Sequence, residues 1–290
     1  MGRPTTPKTQ FLLGQHKPKL RTETTVRLHP RRGREPSTRA SKLGGRVAWP
    51  AEEPWPTCEE HGDPCVAVLQ LRRVDVPELE FPKGTDLFQL LWCPKDHEDP
   101  PFAPWPVVRW RSGALVGQLL APPAPVKGAT EQYVPRDCVL NPERVLEYPS
   151  AYDIGLAQLE ELDDLIREKA RKDLKKLGIP DDDPLYQYHF SVAPGTKVGG
   201  YVAWIQDAEV PMCECGKPMT HLLTVASAEF DGAYQRWMPL SERSVWKGSL
   251  EARLKVQEAA GLMFGDMGNY YLFTCRACPA RPVKAVMQCS

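Results

Sequence analysis

Short apolar runs separated by turn residues dominate the pattern of this chain. Four runs of five to seven residues stand out, at 66–71, 87–93, 221–225 and 269–275. Leu, Val and aromatic residues fill them, which favours buried strands over helices of this length. The chain also has 30 prolines, about twice an average share. Because Pro lacks a backbone donor, this content favours short strands joined by structured loops.

One region has helical periodicity instead. Ser150 and Asp153 match a capping box, and Gly178 followed by Pro180 matches a helix end. Between them, apolar residues recur every three or four positions. We expect this stripe to pack into the core: Leu159, Leu162, Leu165, Ile166, Leu174 and Leu177.

A nine-residue string occurs twice, at 41–49 and 196–204, with six identical positions. Repeats of this kind indicate an internally duplicated fold. The paired glycines predict a tight turn that feeds a strand, and each copy is expected to open with a strand, at 25–28 and 188–192. The positions that we take as the fold signature are Lys42, Gly44, Gly45, Trp49, Lys197, Gly199, Gly200 and Trp204.

Cysteine and histidine pairs follow both copies of the string. Zinc is bound by four ligands that typically come as two close pairs on tight turns. The second copy offers the stronger candidate set: Cys213, Cys215, Cys275 and Cys278. The first copy offers a weaker set, with histidine in place of two cysteines: Cys58, His61, Cys93 and His97.

The alternative for these cysteines is simple packing, because Cys often acts as a small buried hydrophobe. His97 weakens the first set, since it lies in a polar loop beside Asp96 and Glu98. Three further cysteines lack a paired ligand and are expected to be packing residues: Cys65, Cys138 and Cys289. The prediction is therefore a structural zinc in the second copy, with a second zinc in the first copy left open.

The ligand pairs are 32 positions apart in the first copy, from His61 to Cys93, and 60 apart in the second, from Cys215 to Cys275. The second copy therefore carries a 28-residue insertion. It contains a predicted short helix that begins after Ser249 as N-cap and ends before Gly261.

Charge is balanced overall, with 37 basic and 37 acidic residues. Residues 1–40 nevertheless have ten Lys or Arg against Glu23 and Glu35, which gives +8, and the remainder has −8. A basic arm can contact nucleic acid, but it lacks the interleaved aromatics that stack on bases. We favour a solvated extension, or one that lies on its own body.

Other motifs are weak. The acidic run at 181–183 can bind a cation, although a solvated turn is the better interpretation, and Lys42-Leu-Gly-Gly lacks the spacing of a phosphate loop. No nucleophile elbow is present, so no enzymatic activity is predicted. There is no apolar run near the roughly 20 residues of a membrane span. Phe11-Leu12-Leu13 is too short for a signal-peptide core, so we expect a cytoplasmic protein. In that reducing compartment, paired cysteines favour zinc over disulfides.

The predicted fold is α+β but mostly β: a duplicated β unit with a pseudo-twofold relation, one long linker helix and one short inserted helix. We assign residues 1–21 to a flexible basic arm, 22–112 to the first repeat and 113–184 to the linker. Residues 185–290 form the second repeat.

Four features of the sequence are the two Lys-x-Gly-Gly-x-x-x-Trp strings, the Trp55-Pro-Thr-Cys segment, the Cys215-Gly-Lys-Pro-Met turn and the final Met-Gln-Cys-Ser. Together they resemble the bacterial YwqG-like family over residues 22–290. The likeness extends more distantly to programmed-cell-death-2-type proteins, which are chaperones for a ribosomal protein. It implies a non-enzymatic, duplicated module that binds a protein or peptide and is chaperone-like. Some bacterial relatives are suspected of neutralising toxins, which leaves an immunity-type role as the alternative.

Overall fold

The computed structural model of the chain describes residues 20–33, 35–98, 101–115, 117–177, 184–230 and 237–290. The side chains at 115, 170, 173, 174, 176, 177 and 240 are not described. In this part of the chain the strands are β1 (Glu23–Arg27), β2 (Arg31–Arg32), β3 (Lys42–Leu43), β4 (Val66–Arg72), β5 (Leu87–Cys93), β6 (Trp105–Arg111), β7 (Cys138–Val139), β8 (Glu143–Glu147), β9 (Lys197–Val198), β10 (Thr220–Ala226), β11 (Asn269–Thr274) and β12 (Val283–Gln288).

The helices are short, with one exception. The α-helices of the described residues are α1 (Ala151–Ile154), α2 (Leu156–Leu177), α3 (Arg243–Trp246) and α4 (Leu250–Gln257). Single 3-10 turns lie at Pro77–Leu79, Gly113–Leu115, Glu131–Tyr133 and Leu240–Glu242, and a π-helix lies at Tyr186–Phe190. No helix within these ranges combines the length and the apolar character needed to cross a membrane.

The strands form two antiparallel sheets of six, which confirms the mostly β prediction. The first sheet has the order β2-β7-β3-β4-β5-β6 and the second has β12-β11-β10-β9-β1-β8. Strands β3 to β6 therefore lie in the same relative order as β9 to β12. The N-terminal segment gives one strand to each sheet, β2 and β1, and the linker gives β7 and β8 in the same way.

The four predicted apolar runs became β4, β5, β10 and β11. The pairing of β4 with β5 shifts register between Ala67 and Leu69, and that of β10 with β11 shifts between His221 and Leu223. Such a bulge bends and twists a strand locally. The two bulges occupy corresponding places, since each lies two residues into its strand.

One apolar core lies between the sheets and takes residues from both. Val68, Leu90 and Trp92 come from the first sheet, and Leu223 and Tyr270 come from the second. The Trp92 ring meets the Tyr270 ring edge-on, with centroids 5.2 Å apart. The Tyr270 hydroxyl donates to the Pro104 carbonyl at 2.8 Å. Packing of aromatic rings across this layer holds the sheets together.

The linker helix is interrupted at its start. Ser150 and Asp153 form the predicted capping box, but Gly155 follows with φ +78° and ends α1 after one turn. Helix α2 then buries Leu162 and Ile166, with Leu159 partly buried beside them. The side chains of Leu174 and Leu177, and residues 178–183 with the predicted helix end and acidic run, lie outside the described residues.

Two local predictions were wrong. Residues 188–192 do not form a strand, because Tyr186–Phe190 is a π-helix whose Tyr186 and Phe190 pack against α2. Tertiary packing has overridden the β preference of these aromatic residues. The Gly-Gly turns also do not feed strands, since the two-residue strands β3 and β9 precede them.

The inserted helix is confirmed as α4. Ser249 caps it through a bond from the Ala252 N–H to its hydroxyl, and Gly261 has φ +66° after the helix. Leu250 and Leu254 are exposed on its outer side.

Part of the basic N-terminal region binds the body of the protein. Arg27 is fully buried and donates to the Pro194, Glu229 and Trp237 carbonyls. Arg31 pairs with Glu242 at 3.0 Å. Most of the predicted arm, residues 1–19, lies outside the described residues.

Candidate metal centres

Two groups of four Cys and His side chains converge within the described residues. In each group the candidate ligand atoms all lie within 4.8 Å of one another. We call the first group, Cys58, His61, Cys93 and His97, the first centre, and the second group, Cys213, Cys215, Cys275 and Cys278, the second centre. They are the two sets predicted from sequence, so the first set is as complete as the second.

Corresponding elements position the two centres. One ligand pair of each centre lies in the turn that leads into β4 or β10. The other pair begins at the last residue of β5, Cys93, or directly after β11, at Cys275. Gly62, with φ +69°, and Gly216, with φ +78°, close the first turns. Their N–H groups donate at 2.8 Å to the carbonyls of Cys58 and Cys213. Glycine is favoured at these two positions because left-handed backbone is costly for other residues.

The first centre has two sulfurs and two nitrogens. Cys58 Sγ lies 3.2 Å from His97 Nε2 and 3.6 Å from His61 Nδ1, and Cys93 Sγ lies 3.5 Å from His61 Nδ1. His97 is buried, although its sequence neighbours are polar. The loop after β5 folds it inward, and this removes the objection that its sequence context raised.

Each histidine turns its second nitrogen to an oxygen. His97 Nδ1 lies 3.2 Å from the Ala103 carbonyl, and His61 Nε2 lies 3.6 Å from the Glu60 carboxylate. Metal-binding histidines commonly have such a partner, which fixes the tautomer and the orientation of the ring. Sequence reasoning missed Glu60 and Ala103, because an oxygen that supports a ligand has no spacing rule of its own.

The second centre has four sulfurs. Cys213 Sγ lies 3.8 Å from Cys278 Sγ, and Cys215 Sγ lies 3.6 Å from Cys275 Sγ. A disulfide needs about 2.05 Å, and all nine cysteines are free. Cys213 and Cys275 are buried, Cys278 is half-buried and Cys215 is exposed.

These separations match the edges of a zinc tetrahedron. Zinc binds sulfur at about 2.3 Å and nitrogen at about 2.0–2.1 Å. The S···S edge of such a tetrahedron is therefore about 3.8 Å, and the S···N edge is about 3.5 Å. The observed values of 3.6–3.8 Å for sulfur pairs and 3.2–3.6 Å for sulfur–nitrogen pairs bracket both edges. Both groups could hold a metal ion.

The thiols differ in acidity. Burial raises the pKa of Cys93 to about 12. Burial also raises the pKa of Cys275, but the backbone N–H groups of Cys278 and Ala277 lower it, and the resulting value is about 7. Backbone N–H groups aimed at a sulfur favour the thiolate, which is the form that binds metal.

The paired glycines of the fold signature form turns with left-handed backbone. Gly44, Gly45, Gly199 and Gly200 all have φ between +65° and +70°. Both turns bind the preceding lysine, because Lys42 Nζ donates to the Arg46 carbonyl and Lys197 Nζ donates to the Tyr201 carbonyl at 2.7 Å. In each case the acceptor lies four residues after the lysine.

The two lysines differ in their second partner. Lys197 Nζ lies 2.5 Å from Glu147 Oε1, and both side chains are fully buried. Glu147 also accepts from the Ala193 and Tyr201 N–H groups. Burial lowers the pKa of Lys197 and raises that of Glu147, and their mutual attraction opposes both shifts. Lys42 has a second carbonyl partner instead, Ser37, at 3.1 Å.

The signature tryptophans pack alike. Trp49 lies in a buried cluster with Val47, Cys65 and Leu91. Trp204 lies in a cluster with Val202, Met219 and Phe273 among others. The two clusters take their members from corresponding positions of the two sequence copies. The signature tryptophans therefore have a packing role.

Two cysteines outside the centres pack as predicted, and two tryptophans, Trp55 and Trp105, differ in exposure. Cys65 and Cys138 are buried among apolar residues, as predicted. Trp55 packs on Trp49 with ring centroids 5.2 Å apart, which makes it a packing residue. Trp105 is 46% exposed and lies beside His97, with ring centroids 6.3 Å apart.

A cavity of about 380 Å³ lies on the side of Trp204. The π-helix, the N-terminal cap and first residues of α1, and the start of β11 form part of its walls. Among the described residues that line it, none is acidic, basic, His or Cys.

The sequence matches no protein-family model, and no curated protein is significantly similar to it.

Proposed function

We propose that this chain is a zinc-stabilised, non-enzymatic module of the YwqG-like type that binds a segment of another protein. The observation that carries the proposal is the pair of closed Cys/His groups at corresponding places in two sheets. Four protein ligands leave no open position for a substrate or water, which is typical of structural rather than catalytic zinc.

The proposal includes an internal duplication. Three features support it: the common strand order, the matching bulges in β4 and β10, and the lysine that binds the carbonyl four residues later in both turns. A single origin for both units explains why two separate stretches of sequence build the same ligand geometry.

A surface next to the first centre supports the binding role. It consists of Glu59, Glu60, Glu98, Phe102 and Trp105, and we call it the acidic-aromatic rim. All five residues are exposed, and Phe102 is 76% exposed. Phe102 also has φ +53°, a strained backbone for a bulky residue. Strain of this kind persists where the surrounding structure imposes it, often at binding sites.

The chemistry of the rim indicates its partner. Exposed aromatic rings are common energetic centres of interfaces, and a cation above a ring gains further attraction. Carboxylates around them favour a positively charged partner. The rim therefore suits a segment with Lys or Arg next to an apolar side chain.

The test has two parts. Metal analysis of the full chain, purified without chelator, should give two zinc ions per chain. Peptides selected by the immobilised full chain from a random display library should then be enriched in Lys or Arg beside apolar residues. Their affinity should fall at least about tenfold in Trp105→Ala. Met212→Ala is the matched control, because Met212 is 52% exposed beside the second centre.

Two results would overturn the proposal. A metal-free chain with its fold intact would remove the structural zinc. Selected peptides without basic residues, or with equal affinity for the Trp105 and Met212 variants, would remove the binding surface.

A further inference from the structure

We propose that the second centre is a modification site for peroxides: oxidation joins its four sulfurs into two disulfides and expels the metal, while the first centre resists. This inference rests on the proposed occupancy of both centres by zinc. It adds a difference in reactivity toward peroxide between the two centres, whose geometry is similar.

Access is the first argument. Cys215 is exposed and Cys278 is half-buried, so a small oxidant can reach the sulfurs of the second centre. In the first centre Cys58 is 5% exposed and Cys93 is fully buried. Oxidation of cysteine follows thiolate character and exposure together. Zinc ligands are thiolates in both centres, so exposure decides the difference.

Ligand identity is the second argument. The second centre has four sulfurs, arranged as Cys213 with Cys278 at 3.8 Å and Cys215 with Cys275 at 3.6 Å. Each pair joins the turn before β10 to the turn after β11. Small movements bring each pair to the disulfide length of about 2.05 Å. The histidines of the first centre cannot form disulfides, so there only Cys58 and Cys93 can be joined.

The chemistry balances with peroxide as the oxidant. The Cys215 thiolate attacks one peroxide oxygen, the O–O bond breaks, and a sulfenic acid and hydroxide form. The Cys275 thiolate then attacks that sulfur, the S–O bond breaks, and a disulfide and a second hydroxide form. Two electrons pass from the two sulfurs to the peroxide, and both hydroxides take protons from the buffer to give two water molecules. Repetition at Cys213 and Cys278 leaves the metal without thiolate donors.

A reciprocal exchange of ligands provides matched variants. His61 and Cys215 occupy corresponding positions, since Gly62 and Gly216 follow them directly. Cys215→His should keep zinc but remove the exposed sulfur, which protects the second centre. His61→Cys should keep zinc but add a sulfur at a site that is 23% exposed, which sensitises the first centre.

The experiment uses the zinc-loaded full chain and hydrogen peroxide, with released zinc followed by a chromogenic indicator and disulfides mapped by mass spectrometry. We expect one zinc ion to leave at least about tenfold faster than the other, with Cys213–Cys278 and Cys215–Cys275 bonds formed. The Cys215→His variant should lose this fast phase, and His61→Cys should gain a second one.

The outcomes separate this inference from the proposed function. A chain purified without zinc overturns the zinc proposal and, with it, peroxide-driven metal release. A chain with two zinc ions that loses both at equal rates, loses neither, or oxidises Cys58 and Cys93 first overturns only the peroxide site. Disulfides confined to one turn, between Cys275 and Cys278, also overturn the pairing inferred from the geometry.

Discussion

The two centres place ligands of different chemistry on corresponding elements. With a divalent ion, two thiolates and two neutral imidazoles make the first centre neutral, whereas four thiolates give the second a charge of −2. Their surroundings differ in the opposite sense. Near the first centre, the exposed Glu59 and Glu98 lie with one cation, Lys95. Near the second, Lys217 and Arg276 lie with one carboxylate, Glu214.

This difference has a physical reason. A centre with excess negative charge gains from nearby cations, and Lys217 and Arg276 provide them. A neutral centre needs no such compensation, so its surroundings can carry carboxylates and exposed rings for a partner. Two candidate metal centres on similar elements thus present two unlike surfaces.

Removal of one ligand from each centre is the strongest way to break the comparison. Cys93→Ser and Cys275→Ser should each lower the zinc content from two ions to one. Each should also reduce the free energy of unfolding by more than about 4 kcal/mol, because binding of structural zinc is part of the folding free energy. Metal analysis and denaturant unfolding measure both effects.

Cys289→Ser is the control, since Cys289 belongs to neither centre. If the parent chain held one zinc ion, and Cys93→Ser left both that content and the stability unchanged, the first centre would be a packing cluster. The equivalence of the two centres would then fail.

The metal ligands were predictable because spacing on turns limits where a side chain can point. Cys275 and Cys278 have a standard spacing, and the repeat then located His61 and His97. Strands β4, β5, β10 and β11 were predictable because their apolar runs are buried on both faces. The capping box at Ser150 was equally local.

Other features depend on tertiary contacts and were not predictable. The burial of His97 follows from a loop that brings its ring against Cys58 and Trp105, despite its polar sequence context. The π-helix at Tyr186–Phe190 follows from packing on α2. Glu147 lies far along the chain from Lys197, and no pattern in sequence joins them. The assignment of β1 to the second sheet also depends on long-range pairing.

The buried lysines give a second way to sharpen the comparison. Lys197→Met leaves the fully buried Glu147 without its cation, and the expected loss is about 3–5 kcal/mol. Lys42→Met leaves only the Ser37 and Arg46 carbonyls unpaired, and the expected loss is about 1–3 kcal/mol. Denaturant unfolding of both variants tests the order.

A double variant identifies the cause. Adding Glu147→Leu to Lys197→Met removes the unpaired carboxylate and should restore part of the lost stability. Two results would show that the Lys197–Glu147 ion pair does not distinguish the two turns. One is an equal loss of stability in the two lysine variants, and the other is no recovery of stability in the double variant.

The smallest predicted effect concerns acid. His221, at the bulge of β10, is buried, with its Nδ1 3.3 Å from the Gly200 carbonyl and its Nε2 2.9 Å from the Thr224 hydroxyl. The corresponding bulge of β4 has Ala67, which does not titrate. Burial, with a smaller effect of Lys197, lowers the pKa of His221 from 6.5 to about 3.

The unfolded chain therefore binds a proton at His221 below pH 6.5 that the folded chain refuses until about pH 3. As the pH is lowered through this window, the free energy of unfolding should fall by about 1.4 kcal/mol per pH unit. The loss reaches about 2 kcal/mol at pH 5. His221→Gln removes this proton while the metal thiolates titrate unchanged, so the difference between the two unfolding curves isolates it. Its stability should fall less than that of the parent chain between pH 6.5 and 5. Parallel curves would mean that His221 takes up its proton in the folded chain as readily as in the unfolded chain. Unfolding would then bind no additional proton between pH 6.5 and 5.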